Sequence, residues 1–168
     1  AHVGGWEFDT ATGLSTWTEE VARIHDLDPK TSASVALSLN YYSETSKPII
    51  EKAFRTLVEQ AIPYDLELEI FSAKGNHKWI RTIGNPIVEN GKVVKVQGSF
   101  QDITERKLAE EALRESEEKF RKLIESVPLP VTYLNNQGEI VFRNDRFLQV
   151  MGYTCEEVPS VKEWWGKA

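Results

Sequence analysis

Residues 64–107 read YDLELEIFSAKGNHKWIRTIGNPIVENGKVVKVQGSFQDITERK, and the fold is decided there. The first eight residues alternate: Leu66, Leu68 and Ile70 fall on one face of an extended chain, Asp65, Glu67 and Glu69 on the other. Lys74, Gly75 and Asn76 turn the chain into a second strand, HKWIRTIG. Asn90-Gly91 turns it again, both residues tolerating positive φ, into a third strand, KVVKVQGSFQDI. Tight turns between consecutive strands make an antiparallel meander, so the class is α+β and not a doubly wound parallel sheet.

Upstream, GGWEFDTATGLSTWT reads as two short strands, with Trp6 and Phe8 on one face, Thr12-Gly13 as the turn, and Leu14 and Trp17 beyond it. Thr18 is placed to cap a helix whose first turn holds Glu19 and Glu20, whose stripe is Val21, Ile24 and Leu27, and which Pro29 closes. Residues 30–45 carry little pattern beyond one or two helical turns. A longer helix follows Ser46, with Pro48 in its first turn and Ile50, Phe54, Leu57, Val58 and Ala61 as its core-facing stripe.

Downstream, the third strand passes with no loop into a charged helical stretch. Asp102-Ile103-Thr104-Glu105 has capping-box spacing, with Glu105 able to reach back to the cap's amide. Leu113, Phe120 and Val127 occupy heptad position a and Ala109, Ser116 and Leu123 position d; Arg106 at a and Ser116 at d leave the seam imperfect. Pro128 and Pro130 end the helix. VTYLNNQGEIVFRNDRFLQVMGY then repeats the opening of the chain: Gly138 matches Gly13, Phe147 matches Val21 and Val150 matches Ile24, a repeat of about 125 residues whose second copy carries no meander. Its apolar surface calls for a partner, another chain or further residues.

The 168 residues carry a net charge of −6, which argues against a nucleic-acid surface, where clustered Lys and Arg must displace counterions. No apolar run approaches the roughly 18 residues needed to cross a bilayer, and no signal peptide precedes Gly4-Gly5. The one cysteine, Cys155, excludes an internal disulfide and fits a reducing compartment, and Glu156 and Glu157 beside it would raise its pKa, so it is assigned no nucleophilic role. A soluble cytoplasmic protein is expected, without membrane contact in this stretch. His25 and His77 are read as surface or helix-end histidines; His25, Asp26 and Asp28 can be drawn as a metal site, but a capped helix end explains them equally well. No phosphate loop, serine elbow or CxxC is present, so no catalytic residue and no metal site is assigned.

The order ββ–helices–βββ, together with WTEEVARIHDLDP, PYDLELEIFSAKGNHKWIRTIGNPI and VVKVQGSFQDITERK, resembles a PAS domain with its C-terminal PAC half. The resemblance implies a PAS/PAC domain over residues 1–103, an amphipathic signalling helix over 104–127, and the N-terminal part of a second PAS domain over 128–168. It implies a five-stranded antiparallel sheet with helices on one face around a small cavity, in a sensor or dimerisation module upstream of an output such as a histidine kinase of a two-component system or a cyclic-di-GMP enzyme. Relatives bind flavin, haem or small acids. Here Phe100, Ile70 and Ile80 fall where flavin-contacting polar side chains would sit, and neither His25 nor His77 lies mid-helix where haem-binding relatives carry their ligand. RNDRFLQ at 143–149 superficially resembles the photoreceptor motif, but Asp145 replaces the cysteine and the segment starts a helix directly after a strand. No flavin or haem is expected; a small apolar ligand is the remaining option.

Candidate cavity residues are therefore Leu66, Leu68, Ile70, Ile80, Val96 and Phe100 from the meander, facing Trp17, Ile24, Phe54 and Leu57, with Thr82 or Tyr64 as polar handles. A filled core is the alternative. Asp102, Ile103 and Thr104 form the candidate signal hinge. Trp79 and Ile83 should project from the outer sheet face, where a Trp suggests an interface, and with Leu113, Phe120, Leu123 and Val127 they make the candidate homodimer contact. The expected function is a dimerising sensory module that relays a signal through the helix to a downstream domain of the same chain. A ligand-free scaffold in a cyclic-di-GMP regulator is the second reading.

Overall fold

The computed structural model describes residues 3–31, 34–152, 157, 160, 162 and 163; Cys155 and the closing WWGKA lie outside them. The chain divides into two compact units, residues 1–109 and 110–168.

The first unit is built on one antiparallel sheet of β1 (Val3–Asp9), β2 (Ser15–Trp17), β3 (Tyr64–Phe71), β4 (His77–Glu89) and β5 (Lys92–Asp102), in the order β2-β1-β5-β4-β3. Helices α1 (Glu19–Ile24), α2 (Val35–Leu39) and α3 (Lys47–Gln60) connect β2 to β3. Val21, Ile24, Tyr42, Ile50, Leu68, Ile70, Ile80 and Phe100 form the core between helices and sheet. The meander is as the alternation dictates, except that β4 runs on through Pro86 to Glu89. A proline is tolerated there because β3 ends its pairing at Tyr64↔Gly84, so beyond Gly84 the strand has a neighbour on one side only. Asn90 and Gly91 hold φ of 49° and 77°, as the hairpin requires.

Some capping differs from expectation. Thr18 stands at the N-cap of α1, but its hydroxyl accepts the Gly5 N–H at 3.1 Å and makes no bond to the helix. Ala61 does not extend the apolar stripe of α3; it closes the helix in the left-handed region.

Gly84 and Gly98 are paired in register at the middle of the sheet. Across them the rings of Trp6 and Tyr64 stack at 6.5 Å, with Phe54 of α3 at 6.4 Å from Trp6. A Cβ on Gly84 would stand 2.5 Å from the Tyr64 ring, and one on Gly98 would stand 1.7 Å from the Ile83 carbonyl oxygen. The glycine pair is what lets large aromatic rings lie flat on the sheet.

In the second unit β6 (Thr132–Leu134) pairs with β7 (Ile140–Arg143), and α5 (Asp145–Met151) follows. Thr132↔Arg143 repeats the Trp6↔Trp17 pair of the first unit, and Gly138 repeats Gly13 with positive φ. Helix α4 (Thr104–Ser126) is continuous from the end of the first unit into the second.

Candidate functional site

Between sheet and helices lies a cavity whose space for the centres of water molecules is about 70 Å³. Its wall is Trp6, Phe8, Ser15, Trp17, Val21, Ser34, Ser38, Leu39, Tyr42, Ile50, Phe54, Tyr64, Thr82 and Phe100, all uncharged. One water needs only on the order of 10–15 Å³ by this measure, so the space admits a small guest. Polar groups gather at two places. Thr82, on the inner face of β4, shares this wall with the Tyr42 and Tyr64 phenols. Burial drives both phenols well above their ordinary pKa, against the opposing bond to Thr82, so they are neutral donors. Opposite, the Ser15 hydroxyl is buried with no protein partner.

Of the cavity residues singled out from the sequence, Trp17, Phe54, Tyr64, Thr82 and Phe100 are on this wall. Ile24, Leu57, Leu68, Ile70, Ile80 and Val96 are buried but lie in the packed core off the wall, and Leu66 lines a surface groove beside α3 instead. Tyr42, Ser34 and Ser38 were not legible, because residues 30–45 have no periodicity to reveal which side chains turn inward. Trp6 and Phe8 were legible as sharing one face, but not as cavity wall.

His25 is a correction. It is a helix-end residue, closing α1, but it is 0 % exposed and not on the surface. Its ring stacks on Phe100 at 4.9 Å and on Trp17 at 5.5 Å, and Nδ1 meets the Val21 carbonyl at 2.9 Å. Burial pushes its pKa down; the Val21 carbonyl opposes this, Lys78 adds to it and Asp26 opposes it. Asp26 faces elsewhere: Lys78 Nζ donates to it at 2.9 Å and to the Ile24 carbonyl at 2.7 Å, and Asn76 donates at 2.9 Å. Burial raises the Asp26 carboxyl, but bonds from Ser72, Asn76 and Lys78 outweigh that and hold it near about 2. Asp28 accepts from the Lys30 backbone, so His25, Asp26 and Asp28 each have separate partners.

At the far end of the sheet, β5 becomes α4. Asp102 Oδ1 accepts the Thr104 N–H at 2.9 Å, while Ile103 N–H donates to the Trp79 carbonyl at 2.9 Å. The Thr104 hydroxyl accepts the Trp79 N–H at 3.0 Å and donates to the Trp79 carbonyl at 3.4 Å. Both halves of the expected capping box differ: Asp102 accepts the Thr104 N–H in place of the Glu105 N–H, Glu105 is exposed, and the Thr104–Trp79 pair ties down the helix start instead. The first turn of α4 is also held to the outer sheet face. Lys107 Nζ sits 5.1 Å from the centre of the Trp79 ring and 2.7 Å from Glu67, which Arg106 also engages. Lys107 and then Arg106 hold the Glu67 carboxyl below its ordinary range. Trp79 is thus half-buried beneath its own chain's helix, and Ile83 lies half-buried on the same face.

Beyond that turn α4 carries Leu113, Phe120 and Leu123 at 62 %, 65 % and 65 % exposed, with Val127 half-buried at its end. Glu111–Arg114–Glu118 and Glu115–Lys119 pairs, three and four residues apart, lace its polar surface.

A family model described as the PAS fold matches residues 14–100, and one described as a PAS domain matches residues 118–167. The chain is 23 % identical over 160 residues to the probable diguanylate cyclase DgcE of Escherichia coli K12, covering 95 % of this chain and 14 % of that protein. It is 25 % identical over 139 residues to the sensor protein FixL of Bradyrhizobium diazoefficiens, covering 82 % of this chain and 28 % of that protein. Among solved structures, a sensory box histidine kinase/response regulator from Burkholderia thailandensis superposes with a TM-score of 0.60 at 22 % identity, over 73 % of this chain and 92 % of that one.

Proposed function

Because the chain belongs to the PAS family, we propose that it is the sensing and relay segment of a larger cytoplasmic signalling protein. It dimerises through the Leu113, Phe120, Leu123 and Val127 stripe of α4 and drives a downstream output domain, a histidine kinase core, without chemistry of its own. The observation that carries this reading is the junction. Asp102 and Thr104 fasten the first turn of α4 to the ends of β5 and β4 with no loop between, so a shift in the sheet must move the helix. Asp102→Ala removes one of those bonds, at a cost of about 1 kcal/mol. It is expected to leave the fold intact and to change the output of the larger protein. An output identical with and without Asp102 rules the hinge out.

The quantity sensed is a small neutral molecule in the cavity. An uncharged wall with hydroxyls at two ends suits an apolar body bearing a hydroxyl or carbonyl, and gives an anion no counter-charge. Flavin and haem, far larger than a space of about 70 Å³, have no part in this reading. The same small size favours the second reading, a ligand-free dimerisation scaffold of the kind a cyclic-di-GMP enzyme would use. Mass spectrometry of the extract from denatured, freshly purified protein separates them: a stoichiometric neutral compound supports sensing, and an extract without one leaves the scaffold.

A further inference from the structure

The two units repeat the same corner with an offset of 126 residues. In the first, Gly5 N–H donates to Thr18 Oγ1 at 3.1 Å and Thr18 N–H to the Gly5 carbonyl at 2.9 Å. In the second, Val131 N–H donates to Asn144 Oδ1 at 2.9 Å and Asn144 N–H to the Val131 carbonyl at 3.1 Å. Val21 N–H to the Thr18 carbonyl, at 3.0 Å, becomes Phe147 N–H to the Asn144 carbonyl, at 2.9 Å. A single acceptor oxygen on the capping residue therefore suffices to build this strand-to-helix corner, as Thr18 demonstrates. Asn144 carries more than that: its Oδ1 also accepts the Phe147 N–H at 3.0 Å, and its carboxamide nitrogen is a double donor that threonine lacks.

Both of those protons are used outside the corner. Asn144 Nδ2 donates to the Ile124 carbonyl at 3.1 Å, in the last turn of α4, and to the Leu129 carbonyl at 3.0 Å. A helix end leaves its last carbonyls without intrahelical partners, and here the Ile124 carbonyl, which also accepts the Val127 N–H at 3.3 Å, is held by the side chain that caps α5. Asp145 N–H, in the first turn of α5, donates to Glu125 Oε2 at 2.9 Å, a second tie to the same turn of α4. Asn144 is 0 % exposed, with all four of its side-chain hydrogen bonds made.

From the difference between the two corners we infer that the carboxamide of Asn144 is a positioning group for the linker helix: it clamps the last turn of α4 to the start of α5. On the relay reading above, it is the receiving counterpart of the Asp102–Thr104–Trp79 clamp at the other end of α4. The clamp itself is a local contact and stands or falls without the relay.

The test is hydrogen–deuterium exchange on the whole chain, comparing wild type with Asn144→Thr and Asn144→Asp. Threonine keeps the acceptor that the first unit uses and removes both donors; aspartate keeps the acceptor and turns an oxygen toward two carbonyls. Exchange across residues 120–126 is expected to rise about tenfold in both variants as that turn frays. In Asn144→Thr, exchange across β6 and β7 should stay within about twofold of wild type. Unchanged exchange at 120–126 in both variants overturns the inference. So does an equal loss of protection across 120–126, β6 and β7 in Asn144→Thr, which would make Asn144 a residue of the fold alone. Failure of the relay would read differently: the clamp would register in exchange while the larger protein's output ignored Asp102.

Discussion

Gly98→Ala is expected to destabilise the first unit by about 3 kcal/mol or more, at the upper end of overpacking costs. The new methyl would stand 1.7 Å from the Ile83 oxygen, 2.8 Å from the Ile83 carbonyl carbon and 2.8 Å from Trp6 Cε2. Two of those atoms are backbone of the neighbouring strand, so no rotamer change relieves the contact; β4 and β5 must separate or slip. They are the most extensively paired strands of the sheet, and β5 leads directly into α4. Gly5→Ala is the control. It lies one strand away opposite Ser99, and its nearest neighbour would be 3.7 Å from the methyl, an ordinary contact. Gly5→Ala should therefore be neutral, or stabilising by roughly 0.5 kcal/mol through the unfolded chain. Thermal and urea unfolding read both. Equal melting temperatures for Gly98→Ala and wild type would show that the sheet centre is not as tight as this packing requires.

Phe120→Glu is expected to convert the proposed dimer to a monomer. Leu113, Phe120 and Leu123 stand largely in water on a helix whose polar surface is laced with ion pairs. Burying a side chain of this size contributes about 1.5–3 kcal/mol, so three per copy give on the order of 10–20 kcal/mol across a symmetric pair. Association costs roughly 4–15 kcal/mol in lost freedom, and Ser116 and Arg106 on the seam contribute no apolar area. The balance is a pairing that is weak by coiled-coil standards. Two carboxylates brought together at the centre of such a seam are enough to abolish it. Light scattering at tens of micromolar should give a dimer for wild type and a monomer for Phe120→Glu. A wild-type chain that is monomeric at those concentrations defeats the dimer directly.

The sheet was legible because alternation with tight turns admits few arrangements: Leu66, Leu68 and Ile70 must share a face, and Asn90-Gly91 must turn. The repeat was legible too, since Gly13 and Gly138 mark equivalent turns with positive φ. What misled was local reasoning about single polar residues. Thr18 has the composition of a helix cap and stands at the cap position, yet its hydroxyl serves Gly5 in the neighbouring strand. His25 follows a short helix and precedes two acidic positions, a pattern that suits a surface residue, and it is sealed between Trp17 and Phe100. Gly5 lies 13 residues from Thr18 and Phe100 lies 75 from His25, beyond the reach of any local pattern.

By itself, then, the amino-acid order determined the class of fold, the strand boundaries to within a few residues, the unbroken passage from β5 into α4 and the repeat beyond it. Each of these follows from spacing along the chain, where periodicity and turn chemistry act. Only the tertiary structure decided which inward residues line a cavity and which fill a core, that Trp79 lies beneath Lys107, and that Asn144 reaches Ile124. Those outcomes depend on which side chains meet across elements, and a hydrogen bond between distant residues leaves no periodic trace in the sequence that makes it.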